Sequence, residues 1–156
     1  MKLILEAEGL EYSLLQGSKD VEVDNLVYDS RKDCKNAIFV CMKGSKFDSH
    51  KDIDKVVESG AKAIVIEEEI KELPEGVTVI SVKSSRKALA LLSAAFFEYP
   101  IRKMTSIAIT GTKGKTTSTY MLKTILEKAG HKIGVIGTNG VLIGDKLYKT
   151  LNTTPE

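Results

Sequence analysis

Ile107-Ala108-Ile109-Thr110-Gly111-Thr112-Lys113-Gly114-Lys115-Thr116-Thr117 carries a short apolar run into a glycine-lysine-threonine turn, and an amphipathic helix opens directly after it. A strand that stops at a glycine turn aims the turn's backbone N–H groups and the N-terminus of the next helix at one point. Such a point suits polyphosphate oxygens. Lys115 would neutralise charge on the β- and γ-phosphates, and Thr116 would set its hydroxyl where a phosphate-loop hydroxyl binds Mg²⁺.

The strict phosphate-loop pattern asks for a further glycine where Ile109 stands, so the match is to a shortened form, Gly-x-x-Gly-Lys-Thr-Thr. The dinucleotide fingerprint G-x-G-x-x-G fails, because only Gly111 and Gly114 are present and Lys115 follows directly. A plain glycine turn with a solvated lysine is the competing reading. It does not account for Gly, Lys and paired Thr in this order after a strand.

The chain has 156 residues, 42% hydrophobic and 28% charged, which is globular usage compatible with one domain or two small ones. A net charge of +2 with both signs interspersed gives no basic face for nucleic acid and no polybasic run for an anionic membrane. No apolar run reaches the roughly eighteen residues of a membrane span, so a cytoplasmic protein is expected. Cys34 and Cys41 form no C-x-x-C pair, and His50 and His131 are too few for a histidine metal site. Both cysteines read as reduced thiols, Cys41 as a small buried hydrophobe.

Leu3 to Leu10 reads as a short helix, Val21–Tyr28 as a half-buried strand and Ala37–Met42 as a second strand. A short helix is expected from His50 to Gly60, with Ser49 accepting from its first turn. Strands follow at Lys62–Glu67 and Val77–Val82, then a long helix capped by Ser84 or Ser85 that ends before Pro100. Pro100–Lys103 is the boundary candidate, giving domains 1–100 and 101–156. In the second, a strand from Met104, the loop, a helix from Lys115 to Ala129 and a strand Lys132–Ile136 predict parallel pairing, followed by a hairpin over Val141–Tyr148. The fold class expected is α/β, with a small N-terminal α/β domain and the beginning of a parallel-sheet phosphate-loop domain.

Thr110-Gly111-Thr112-Lys113-Gly114-Lys115-Thr116-Thr117 resembles the ATP loop of the Mur ligases, amide-forming enzymes of peptidoglycan precursor synthesis. Three further stretches are similar to the MurE type of that family. Tyr28-Asp29-Ser30-Arg31, with Ala37–Val40 and Gly44-Ser45-Lys46-Phe47-Asp48-Ser49-His50, resembles its uridine-binding N-terminal domain, and Leu151-Asn152-Thr153-Thr154-Pro155 its substrate-binding Thr-Thr-Pro. Lys113 stands where the family commonly has asparagine, and Ser49 where it has glycine.

The resemblance implies an ATP-dependent ligase that adds the third amino acid to UDP-N-acetylmuramoyl-L-alanyl-D-glutamate through an acyl phosphate. It implies that Ser30 and the Ser45-Lys46-Phe47 backbone contact the uracil and diphosphate end, and that Asn152, Thr153 and Thr154 meet the muramoyl-peptide end. Gly111, Thr112, Lys113, Gly114, Lys115, Thr116 and Thr117 would hold ATP, with Lys115 catalytic and Thr116 on Mg²⁺. Asp29-Ser30-Arg31 taken alone is a strand-ending turn in which Asp29 caps local N–H groups and Arg31 is solvated. His50 by itself reads as structural. The family's Mg²⁺-binding carboxylates, modified lysine and C-terminal domain have no counterpart here, so an N-terminal piece without turnover of its own is expected, working as a monomer. Which amino acid is added cannot be read. The alternatives are a non-catalytic UDP-muramoyl-peptide binding module, a sister Mur ligase or folylpolyglutamate synthetase, and an unrelated phosphate-loop ATPase.

Overall fold

A computed structural model describes residues 6–44 and 47–149. They fall into two compact units that divide between Met104 and Thr105. The first runs β1 (Tyr12–Gln16), β2 (Asn25–Val27), β3 (Ala37–Val40), a 3-10 turn (Ser49–Asp52), α1 (Ile53–Glu58), β4 (Ala63–Ile66), β5 (Thr78–Val82), α2 (Ser85–Phe96) and a second 3-10 turn (Pro100–Lys103). Its strands form one sheet in the order β1-β5-β4-β3-β2. β2 to β5 are parallel, and β1 pairs antiparallel with β5 at the edge.

The middle of this sheet follows from two uninterrupted apolar runs, Ala37-Ile38-Phe39-Val40 and Ala63-Ile64-Val65-Ile66, every residue of which is buried. Such runs belong to strands covered on both faces. Successive side chains point opposite ways. Phe39, Cys41, Ile64, Ile66 and Val79 pack with Ile53 and Val56 of α1. Ile38, Val40, Val65, Ile80 and Val82 pack with Ala88 and Leu92 of α2 on the other side. Ser84 caps α2, its side chain accepting from the Lys87 N–H.

Three expectations shift. Residues 6–9 form turns rather than helix, and Leu3–Leu5 lie outside the described residues. The strand expected over Val21–Tyr28 shortens to Asn25–Val27, the residues in register with Ala37–Phe39. β1 was not expected at all, since Tyr-Ser-Leu-Leu-Gln does not alternate. Leu14 and Leu15 stay 43% and 46% exposed, as an edge strand with a bulge between Leu14 and Gln16 allows. Gly17 makes that edge possible. Its φ is +84° and a Cβ there would sit 2.5 Å from Thr78 Oγ1, while Thr78 Oγ1 donates to the Ser18 carbonyl at 3.0 Å.

The second unit comprises α3 (Lys115–Lys128), β6 (Gly134–Gly137), β7 (Gly140–Ile143) and β8 (Lys146–Tyr148). The expected hairpin turns at Gly144-Asp145. The α/β class holds, but the expected parallel pairing does not appear. β6, β7 and β8 are an antiparallel meander, and residues 105–110 join no ladder among the described residues. A parallel pair needs cover on both faces, whereas a meander closes through tight local turns. Here α3 has no buried residue, so the cover for a parallel pair is missing. No helix of the described residues is long and apolar enough to cross a membrane.

The packing of the first unit gives a direct test. Phe39→Ala, at a side chain with no exposure, should lower unfolding stability by roughly 3–5 kcal/mol in denaturant titration. Leu15→Ala should stay within about 0.5 kcal/mol of wild type.

Candidate functional site

β2, β3 and β4 release the chain at the same end of the sheet, and backbone groups leaving the ladders there need new partners. Beyond β2, the Asp29 carboxylate accepts from the Arg31 backbone N–H at 3.1 Å and from its guanidinium twice at 2.8 Å. The Arg31 hydrogen bonds hold the Asp29 carboxyl down at about 2. Arg31 remains largely in solvent, its side chain 81% exposed. This is the local turn expected of the tripeptide. Ser30 differs from its neighbours: it is only 6% exposed, and its hydroxyl donates to Asp52 Oδ2.

Beyond β3, Lys43 and Asp48 form an antiparallel bridge and the Gly44 N–H donates to the Phe47 carbonyl at 2.8 Å. The loop they close carries the expected substrate contacts. Phe47 is 59% exposed; Ser45 and Lys46 lie outside the described residues, as do Asn152, Thr153 and Thr154. Asp48, not Ser49, caps the following turn, accepting from the His50 N–H at 3.1 Å. Ser49 is turned inward, where its hydroxyl accepts from Met42 N–H at 2.7 Å and donates to the Met42 carbonyl. It stitches the loop to the exit of β3, which a glycine could not do.

His50 completes the closure. Its Nε2 accepts from the Glu67 N–H at 3.4 Å at the exit of β4, which leaves the proton on Nδ1 to donate to Asp48 Oδ1 at 2.6 Å. Burial raises the Asp48 carboxyl, and the hydrogen bonds from His50 more than offset this, so it titrates below its ordinary value. Lys43 pairs with Glu68 beside it. Asp48, His50 and Glu68 could bring ligand atoms within 4.8 Å of one another, but both His50 ring nitrogens are already engaged. The group is a clamp on the loop. Beneath it, burial pushes the Cys41 thiol up to about 12; Cys34 and Cys41 are free and buried.

In the second unit, Gly111 to Thr117 form one exposed loop and helix start. Gly114 is the N-cap of α3 with φ +78°, a left-handed conformation that favours glycine. No side chain caps the helix and no acid stands in its first turn. Its leading N–H groups therefore face outward without a side-chain acceptor, complementary to an anion. Lys115 folds back, its Nζ donating to the Gly111 carbonyl at 2.6 Å. Thr116 and Thr117 lie in the first turn, and Lys113 is exposed. A cation, hydroxyls and outward N–H groups without a carboxylate fit a polyphosphate.

The comparisons with known proteins define the class. The model of the Mur ligase family catalytic domain matches residues 22–97, and that of the Mur ligase middle domain matches residues 109–156. The chain belongs to the Mur ligase family. Among curated relatives it is 47% identical, over its whole length and 32% of the relative, to UDP-N-acetylmuramoyl-L-alanyl-D-glutamate–2,6-diaminopimelate ligase 1 of Clostridium acetobutylicum. It is 43% identical to the corresponding ligase of Clostridium perfringens, over 96% of this chain and 31% of that one. The chain thus spans about a third of the length of these relatives. Among solved structures, the UDP-N-acetylmuramoylalanyl-D-glutamyl-2,6-diaminopimelate–D-alanyl-D-alanyl ligase of Acinetobacter baumannii is 28% identical with a TM-score of 0.55, covering 81% of this chain and 27% of that one. MurF of Thermotoga maritima, solved with ADP, is 28% identical with a TM-score of 0.51, over 71% of this chain and 25% of that one.

Asp52 and the Lys43–Glu68 pair were not foreseen. Asp52 opens a helix, where an acid reads as a cap, and Ser30 lies far from it along the chain; the sequence offers no signal that joins them. The Asp29 turn supplies a pH test. Because its folded value lies below the ordinary 3.8, Asp29 adds stability above that pH and loses the contribution as the pH falls through about 2. Arg31→Ala should return the Asp29 carboxyl toward 3.8 in an NMR titration of side-chain carboxyl shifts; an unmoved titration would contradict the pairing.

Proposed function

We propose that this chain is the nucleotide-sugar-binding and phosphate-loop portion of an ATP-dependent ligase of the MurE type, which adds the third amino acid to UDP-N-acetylmuramoyl-L-alanyl-D-glutamate. The observation that carries this is the exposed, uncapped start of α3, with Gly114 left-handed and Lys115 beside it. The clamped loop after β3 supports it at the other end of the chain. Sequence identity of 43–47% to diaminopimelate ligases favours the MurE type over the sister ligases, and diaminopimelate is the amino acid we assign.

On this reading domain 1–100 holds the uridine diphosphate through Ser30 and the backbone of Ser45, Lys46 and Phe47, and Asn152, Thr153 and Thr154 meet the muramoyl peptide. Gly111 to Thr117 hold ATP. The Lys115 ammonium leaves the Gly111 carbonyl for the β- and γ-phosphates, and the N–H groups of the first turn cradle their oxygens. Phosphoryl transfer asks for positioning and charge neutralisation more than for a protein nucleophile. The γ-phosphoryl passes to the substrate carboxylate, ADP leaves, and the amine displaces phosphate from the acyl phosphate to form the amide. Mg²⁺ on Thr116 would supply further charge neutralisation when bound. The reaction belongs to the whole ligase, in a cytoplasmic setting; this chain alone should bind without turnover.

Calorimetric titration tests the assignment. UDP-muramoyl dipeptide should bind the wild type, and Ser30→Ala and Thr153→Ala should each weaken it about tenfold; unchanged affinity in both would overturn the substrate site. Lys115→Ala should weaken Mg·ATP at least about tenfold while leaving the dipeptide unaffected. ATPase activity of the isolated chain, with no uridine nucleotide bound, would favour an unrelated phosphate-loop ATPase.

A further inference from the structure

Ser30 carries one hydroxyl proton, and its place is settled by its partner. The Ser30 oxygen lies against Asp52 Oδ2, and an ionised carboxylate can only accept. The proton therefore points at Asp52, and what the Ser30 oxygen still offers is lone pairs. Asp52 itself stands at the N-cap of α1, a position where aspartate ordinarily accepts from its own helix, yet its side chain makes no cap hydrogen bond there. Its carboxylate is directed across the turn to a serine that is only 6% exposed.

This polarity restricts what Ser30 can meet. Diphosphate oxygens are acceptors, and an acceptor facing an acceptor is repelled. A uridine nucleotide presents donors at two places only, the N3–H of the uracil imide and the ribose hydroxyls. We propose that Asp52 is a positioning residue that holds Ser30 as a hydrogen-bond acceptor, so that Ser30 meets an N–H or O–H of the nucleoside and leaves the diphosphate to N–H donors elsewhere. The inference rests on the reading above that Ser30 touches the uridine nucleotide, and it narrows that contact to the nucleoside.

The test is calorimetry on this chain with UDP, N3-methyl-UDP and 2′-deoxy-UDP. One of the two analogues should bind the wild type at least about fivefold more weakly than UDP, the methyl analogue if the donor is the imide and the deoxy analogue if it is the ribose. Asp52→Ala should shrink that gap severalfold, Asp52→Asn should restore it because the amide oxygen still accepts from Ser30, and Ser30→Ala should abolish it and make Asp52→Ala silent. Wild-type affinities equal for all three nucleotides, with Ser30→Ala weakening them together, would put Ser30 on the diphosphate and overturn the proposal. So would an Asp52→Ala variant that weakens all three by one factor, the pattern of a purely structural strap. Absence of any UDP binding by the wild type would instead bring down the uridine site itself.

Discussion

Burial of both faces of the two central strands, β3 and β4, is the constraint on which the first unit depends. Strands β3 and β4 have no exposed residue, so no polar side chain that handles a ligand stands on them. At the ends of these strands the backbone must be satisfied as it leaves the ladder. Ser49 answers the exit of β3, His50 joins that exit to the exit of β4, and Asp48 joins His50 to the loop. The backbone of the loop after β3 is thus held by groups that are themselves buried or half-buried, which is how a loop acquires a defined shape.

The second unit solves a different problem with fewer means. Its Gly111–Thr117 loop is shaped by one left-handed glycine and by a lysine that closes onto the loop's own carbonyl. That contact pairs Lys115 with a neutral acceptor, and a polyphosphate would offer it a charged one. Charge-assisted hydrogen bonds are the stronger kind.

Much of this was legible because apolar runs and glycine turns act locally. The strands at Ala37 and Ala63, the helix from Ser85 with its Ser84 cap, α3 and the hairpin at Gly144 all follow from residues within one element. β1 was missed because its pairing is decided by Gly17 passing close to Thr78, a contact between distant segments. The strand at Met104–Thr110 was over-read for the converse reason: its apolar run is genuine, but pairing also needs neighbours and cover, and Ile107 is 58% exposed. At the candidate site the Gly-Lys-Thr-Thr signature was visible, whereas Asp52 was not, since nothing in an aspartate at a helix start reports a serine on another loop. The cap that the sequence suggests for Ser49 falls to Asp48, because side-chain direction depends on the strand exit beneath it.

Two ligands of one ligase are expected to bind different residues of this chain, residues 28–52 and residues 110–118. An amide ¹H–¹⁵N NMR map, recorded with UDP-muramoyl dipeptide and then with Mg·ADP, tests it most directly. The first ligand should move resonances of residues 28–31 and 42–52, and the second those of residues 110–118. A dipeptide that perturbs only the phosphate loop, or an ADP that leaves that loop unmoved, would contradict it.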